Sequence, residues 1–232
     1  MSTSRVEPDP GEIEEPARST PVRHRADVLV VGGGSAGVAA ATAAARNGAD
    51  VLLVERYGYL GGLATGGLIL LLLTLDDGRG RQAIAGLCQE LTERLVARGA
   101  AHAPPRSLWG SDESEAVEEA RRWGLVWGRA PHVVRYSVAY DAEEMKLGFD
   151  AMVRESGARV LFHAWACEPI LESDRVVAVA FQGKSGRFAV RADVVIDATG
   201  DGDLFAAAGC AHEREKVLPW LWFVAGGFDD TS

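Results

Sequence analysis

Cysteine is scarce. The 232-residue chain has three, Cys88, Cys167 and Cys210, and no two are close enough to form a CxxC pair. Structural zinc needs closer ligand spacing and a redox dithiol needs a neighbour, so neither is supported. Buried or semi-buried free thiols in a reducing compartment fit instead, and with them a cytoplasmic location. Basic charge is also short: 24 Lys and Arg face 33 Asp and Glu, for a net charge of −9. That leaves no basic stripe to neutralise the phosphates of a nucleic acid partner. A bilayer span is absent as well. The leucine-rich run at residues 67–75 falls short of the roughly 20 residues a membrane helix needs, and a buried strand fits it better. Residues 1–25 hold Pro, Ser, Glu and Arg without an apolar core, which reads as a disordered tail and as neither signal peptide nor anchor. No Ser-His-Asp order and no metal-ligating cluster is visible. At 47% hydrophobic and 25% charged residues, the chain reads as soluble and globular, with enough length for one or two domains and a sizeable core.

Glycine, by contrast, is concentrated. "VVGGGSAG" places four glycines in six positions, 32–37, and each one loses more backbone entropy on folding than Ala would. Such a loop is either a plain turn or a phosphate cradle, and its neighbours favour the second. Residues 26–31 before it form an apolar, β-branched run that reads as a buried parallel strand. The alanine-rich residues 38–47 after it read as a helix stopped by Asn47-Gly48. Residues 50–54 give a second buried strand ending at Glu55. This is the βαβ context that the dinucleotide fingerprint requires. Gly32 then allows the tight turn, and Gly34 lets a pyrophosphate approach the backbone. Gly37 lets the helix lie close on the strand, as Ala41 and Gly48 also would. The helix N-terminus offers N–H groups and partial positive charge. Glu55, eighteen positions past Gly37, can accept both hydroxyls of a ribose.

The glycine pairs Gly61-Gly62 and Gly66-Gly67 flank Leu63-Ala64-Thr65. A backbone so bare can pass close to a flat ligand, with a flexible hairpin turn as the alternative reading. Residues 76–140 change character and read as an insertion able to cover a ligand. It has a helix over 84–96 with Ile84, Leu87, Leu91 and Leu95 on one face, a loop over 100–110, a polar helix over 114–123, then irregular to strand-like sequence. An amphipathic helix follows over 141–156, capped by Asp141, completed as a capping box by Glu144 and stopped by Gly157. Residues 159–166, 175–182 and 186–190 read as three strands of a meander. A further buried strand, 192–197, runs into Ala198-Thr199-Gly200, then Asp201-Gly202-Asp203 and a short helix over 204–208. Asp201 and Asp203 are either cofactor contacts or caps of that helix.

Together "DVLVVGGGSAG…GADVLLVER", "GYLGGLATGG" and "VVIDATGDGDLFAAAGC" resemble the FAD-dependent oxidoreductases with a glutathione-reductase type of Rossmann domain. More narrowly they resemble the group related to fumarate reductase flavoproteins. The resemblance covers about residues 26–212. It implies an α/β fold: a Rossmann-like FAD-binding domain with a central parallel sheet, a three-stranded β-meander and an inserted, partly helical segment. The implied segments are 26–75 and 141–212 for FAD, 76–140 for the insertion, and 213–232 for the start of an incomplete second domain. Gly32, Gly34, Ser35, Ala36 and Gly37 would hold the pyrophosphate, Glu55 and Arg56 the adenosine end, and Gly61, Gly62 and Thr65 the path toward the flavin. Ala166 would face the adenine through its backbone, and Thr199, Gly200 and Asp201 would meet the pyrophosphate from the second turn.

The glycine pairs and the Ala-Thr-Gly turn belong to the flavin pattern, which favours FAD over NAD. Some relatives attach flavin through a His in the glycine-pair loop; residues 61–67 have none, so the FAD is expected to be non-covalent. Such flavoproteins continue well past the Ala-Thr-Gly turn, whereas this chain ends at Ser232 after "LPWLWFVAGGFDD". The expectation is therefore the N-terminal portion of a larger architecture, its apolar tail calling for self-association or a complementary C-terminal chain. The expected function is hydride transfer between non-covalent FAD and a small organic substrate or NAD(P)H. The alternatives are a non-catalytic FAD-binding subunit and an NAD-dependent dehydrogenase. No catalytic residue stands out. His102 and His132 could transfer protons, and Arg129 and Arg135 could bind a carboxylate, against the plainer readings of solvated loop histidines and surface charge.

Overall fold

The computed structural model describes residues 11, 15–126, 130–213 and 215. In chain order the elements are β1 (Val22–Val31), α1 (Ser35–Arg46), β2 (Val51–Val54), a 3-10 turn (Gly62–Ala64), β3 (Leu71–Leu72), α2 (Leu87–Ala97), β4 (Ala101–His102) and a second 3-10 turn (Arg106–Leu108). Then come α3 (Ser114–Arg122), β5 (Val138–Tyr140), α4 (Ala142–Ser156), β6 (Arg159–Leu161), β7 (Ala164–Glu172), β8 (Arg175–Gly183), β9 (Gly186–Asp197) and α5 (Asp203–Ala207).

Six strands form one sheet in the order β6-β2-β1-β9-β8-β7. Strands β6, β2, β1 and β9 run parallel, and β9, β8 and β7 are antiparallel. The period-2 alternation of β1 divides its side chains between two cores. Val30 packs with α1 and α4, together with Val38, Ala41, Leu53, Met145 and Phe149. Leu29 and Val31 face the opposite way, toward Val179, Phe181, Phe188, Val190 and Leu204. This two-sided burial explains why β1 and β2 read as unbroken apolar runs. Helix α1 buries Gly37, Val38, Ala41 and Thr42, and its small side chains let it lie close on the sheet.

Several expected boundaries move. Residues 186–190 and 192–197 are not two strands but the single strand β9, whose pairing continues through Arg191. No turn residue interrupts the run there, so the third strand of the meander is also a central strand of the parallel sheet. Because β9 is long, it offers β1 extra partners: Val22 pairs with Ala189, and residues 22–25, expected in a disordered tail, are strand. The run 159–166 splits instead into β6 and β7, with a left-handed residue, His163 (φ 57°), at the corner.

The leucine run was expected as a buried strand over 67–75. Only Leu71–Leu72 is strand, at the edge of a three-stranded sheet ordered β3-β5-β4, and Leu73 is exposed. Helix α2 starts at Leu87 behind Gly86, so Ile84 precedes it and is exposed. Asp141 caps α4 through the Glu143 and Glu144 N–H groups, and Gly157 (φ 90°) ends it. The Glu144 carboxylate does not return to the cap; it binds Arg98. Of the thiols, Cys88 and Cys167 are half-buried, while Cys210 is exposed against expectation.

Helix α2, within residues 76–140, packs against α4. Their crossing is close at Gly148, where a Cβ would lie 2.8 Å from Leu91 Cδ1. Trp109 stacks on Tyr136 at 4.0 Å within a small core around Leu75 and Val138. Among the described residues no helix is long and apolar enough to cross a membrane.

Candidate functional site

A groove of about 570 Å³ opens at the C-terminal ends of β1, β2 and β9, above the N-terminus of α1. In parallel α/β sheets this edge is where ligands bind. Three backbone turns build its walls.

The first turn is Gly32-Gly33-Gly34. Gly32 has φ 101°, its N–H donates to Val54 O at 2.8 Å, and a Cβ there would sit 2.2 Å from Ala198 O. A Cβ on Gly37 would come within 1.8 Å of Gly32 O. These two glycines are therefore needed where the loop, α1 and the end of β9 touch. Gly34 differs: it is in extended backbone (φ −66°, ψ 178°), and among the described residues a Cβ would meet no heavy atom within 4 Å. Open space thus lies over the start of α1. Among the described residues no side chain caps that helix, and its first turn carries no acid. Its leading N–H groups and positive dipole end are free to meet an anion. This geometry suits a pyrophosphate.

Glu55 stands at the tip of β2 and is buried. Its Oε2 accepts from Gly33 N at 2.6 Å and its Oε1 accepts from Tyr57 N at 2.7 Å. A carboxylate has about four lone-pair sites, so these two bonds leave two unfilled, and Glu55 lines the groove. Beside it the Arg56 guanidinium lies 5.0 Å from the Tyr57 ring and 5.1 Å from the Trp165 ring.

The second turn is the glycine pair. Gly61 (φ 109°) donates from N–H to Gly33 O at 2.7 Å, and Gly62 (φ 54°) runs against Gly34. Tyr140 holds this turn from beneath: its hydroxyl lies 3.0 Å from Ala64 O and also contacts Ile69 O. Burial pushes that hydroxyl up to about 12, so it remains a donor at neutral pH.

The third turn is Ala198-Thr199-Gly200, joined to the first by Ala198 N donating to Val31 O at 2.8 Å. Asp197 organises it. Oδ1 accepts from Thr199 N (3.0 Å) and Thr199 Oγ1 (2.8 Å), and Oδ2 accepts from Leu204 N (2.9 Å) and Phe205 N (3.0 Å). Burial opposes ionisation of this carboxyl, but the bonds from Thr199, Phe205 and Leu204 outweigh it and hold it below the usual Asp value.

Of the residues singled out in the sequence, Gly32, Gly34, Ser35, Ala36, Glu55, Arg56, Gly61, Gly62, Ala166, Thr199, Gly200 and Asp201 all line this one groove. Gly37 and Thr65 do not. Gly37 packs beneath the loop, and Thr65 is buried with its hydroxyl donating to Leu60 O at 2.7 Å. Neither Asp201 nor Asp203 caps α5 with its side chain; Gly202 holds the cap position and Asp197 accepts from the helix N–H groups. Tyr57, Tyr59, Leu63 and Trp165 also line the groove, and the sequence reading missed them. Among the described residues, none of 76–140 lines it. His102 stacks on Trp123 at 4.3 Å, and Arg135 is held by buried Asp76 at 3.0 Å, which commits it to structure. Arg129 and residues 216–232, including Trp220, Trp222 and Phe223, lie outside the described residues.

A family profile described as FAD dependent oxidoreductase matches residues 27–216, spanning all three turns. The chain belongs to this family. FAD is its cofactor. Among curated relatives of this FAD-dependent oxidoreductase are two from Methanopyrus kandleri. Digeranylgeranylglycerophospholipid reductase 2 is 34% identical over 179 residues, which is 75% of this chain and 37% of that protein. Digeranylgeranylglycerophospholipid reductase 1 is 31% identical over 179 residues, 75% of this chain and 39% of that protein. The chain thus spans well under half the length of these relatives. Solved structures share the fold of the FAD-dependent domain. The flavin-dependent brominase Bmp2 has a TM-score of 0.52 at 15% identity, over 80% of this chain and 40% of its own. CabE, an aromatic hydroxylase from angucycline biosynthesis, has a TM-score of 0.51 at 21% identity, over 79% of this chain and 33% of its own.

Proposed function

We propose that this chain binds FAD non-covalently along the three-turn groove, as the cofactor-binding part of an oxidoreductase. The observation that carries the reading is Gly34: open space over an uncapped helix start, with Glu55 at one end of the groove and the bare Gly61-Gly62 turn at the other. In it, Gly34, Ser35 and Ala36 receive the pyrophosphate, with Gly200 and Asp201 facing it from the third turn. Glu55 takes the ribose hydroxyls on its two spare lone-pair sites, and Arg56 and Ala166 flank the adenine. Gly61 and Gly62 line the path toward the flavin. Gly32 lines the groove and also shapes the tight turn, Gly37 shapes the loop from beneath, and Thr65 fixes the glycine-pair turn from inside.

When bound, FAD supplies hydride acceptance and donation at its ring, exchanged with an organic substrate or NAD(P)H. The chain's residues bind and orient it. Leu63 lines the groove and is 70% exposed, and its carbonyl accepts from Ile69 N at 3.1 Å in the apolar 68–73 run, where Leu73 is exposed as well. This exposed apolar surface at and beside the groove favours an apolar substrate, in keeping with the lipid for which the two archaeal reductases are named. It also supports a covering partner, either a second copy or a complementary C-terminal chain, with the whole acting in the cytoplasm.

The test is the absorbance spectrum and mass of whatever copurifies with the protein, followed by FAD titration of the stripped chain. A yellow protein releasing one FAD per chain is expected. A colourless chain that takes up NAD and not FAD would overturn the reading in favour of the dehydrogenase.

A further inference from the structure

Asp197 does not line the groove, yet the third turn depends on its side chain. Its two oxygens collect four donors: the N–H and hydroxyl of Thr199 on one, and the N–H groups of Leu204 and Phe205 on the other. Thr199 Oγ1 in turn accepts from Asp203 N at 3.0 Å. The result is a closed loop over residues 197–205, drawn together by one carboxylate. The same loop begins at Ala198, whose carbonyl is the wall against which Gly32 is pressed. Gly200 (φ 90°) then projects into open space, with no heavy atom of the described residues within 4 Å of a Cβ.

We propose that Asp197 is a positioning residue for the dinucleotide. It holds the Thr199-Gly200-Asp201 backbone at the height where that turn and the Gly34 turn grip one ligand from two sides. The proposal rests on the FAD reading above. Only a carboxylate does this well. Asn keeps one accepting oxygen but points an NH₂ group at the other pair of donors, so two of the four bonds are lost.

The experiment is FAD titration of Asp197→Asn against wild type, with hydrogen exchange of the apo chains. The variant should bind FAD about tenfold more weakly, the factor expected when part-buried donors lose a charged acceptor and the turn they hold is released. Protection of the Leu204 and Phe205 amides should fall while that of β1 and β2 is kept. Ala207→Gly frays α5 through helix propensity and leaves the Asp197 bonds alone. It should change affinity by no more than about twofold, which a mere cap role for Asp197 would not allow.

Should Asp197→Asn fail to fold, Thr199 gives the same answer. Thr199→Val, which loses the hydroxyl, should weaken binding, and Thr199→Ser, which keeps it, should restore it. Equal FAD affinity for wild type and Asp197→Asn, or for Thr199→Val and Thr199→Ser, overturns the proposal while leaving the FAD site standing. A wild-type chain that takes up no FAD overturns both.

Discussion

Glu55 accepts the Gly33 N–H at 2.6 Å, tying the tip of β2 to the middle of the glycine loop. The carboxylate therefore shapes the loop as well as offering acceptors to a ribose. Glu55→Gln should harm both roles: the amide cannot serve the Gly33 and Tyr57 N–H groups from two oxygens. A loss of about 1–3 kcal/mol in apo stability is expected for a buried donor left unpaired, read by urea unfolding, together with weaker FAD binding. A variant weakened in FAD binding alone would mean that the Gly33 bond contributes nothing to the fold.

Gly34→Val should separate binding from folding. Its Cβ meets nothing among the described residues, so stability should stay within about 0.5 kcal/mol of wild type while FAD retention is abolished. Gly37→Val is the contrast, because its Cβ would fall within 1.8 Å of Gly32 O. It should destabilise by about 1–3 kcal/mol or more through overpacking. Unchanged flavin content in Gly34→Val would make the loop purely structural.

Acid precipitation should leave the protein pellet colourless and all flavin in the supernatant. Residues 61–67 contain no His, and the exposed side chain of that loop nearest the groove is Leu63, which forms no flavin bond. Flavin carried into the pellet would contradict non-covalent attachment.

Acid should loosen the fold through two carboxyls. Glu90 is held at about 2, chiefly by the side-chain bond from Arg46, which links α1 to α2. Asp197 is also held below its usual value. Both folded values lie below the unfolded ones, near about 4, so their stabilisation is complete above that and is lost as pH falls through the folded values. Thermal melts of the apo chain should be flat in this respect above about pH 5 and decline below about pH 4. Glu90→Gln should flatten part of that decline; an identical acid limb would remove Glu90 from the account.

The core of the site is legible in the sequence because its parts are local. Two buried strands, a glycine turn and an alanine-rich helix follow one another, and parallel strands covered on both faces leave continuous apolar runs. Thr65 misleads because a small polar residue between glycine pairs reads as a ligand contact, while the carbonyl it serves, Leu60 O, is set by the fold. Asp197 is missed for the converse reason. It reads as the end of a strand, and its four partners are assembled by a turn whose path the sequence does not reveal. The unity of β9 is legible in hindsight, since residues 190–192 carry no turn signal. The leucine run misleads because hydrophobicity alone does not distinguish a buried strand from a short edge strand with an exposed neighbour such as Leu73.

The shared strand β9 has a consequence for biosynthesis. β1 is made first, yet its central neighbour is β9, at the other end of the described chain, with Val31 beside Asp197. Pairings so distant in sequence are slow to form because the loop between them must close first. On the ribosome the glycine loop emerges early but stays without its Ala198 wall until β9 has cleared the exit tunnel. During that interval the β1 edge is bare and open to wrong pairings. Cofactor capture is thereby tied to near-completion of this segment, and a nascent chain halted before residue 198 should hold no flavin.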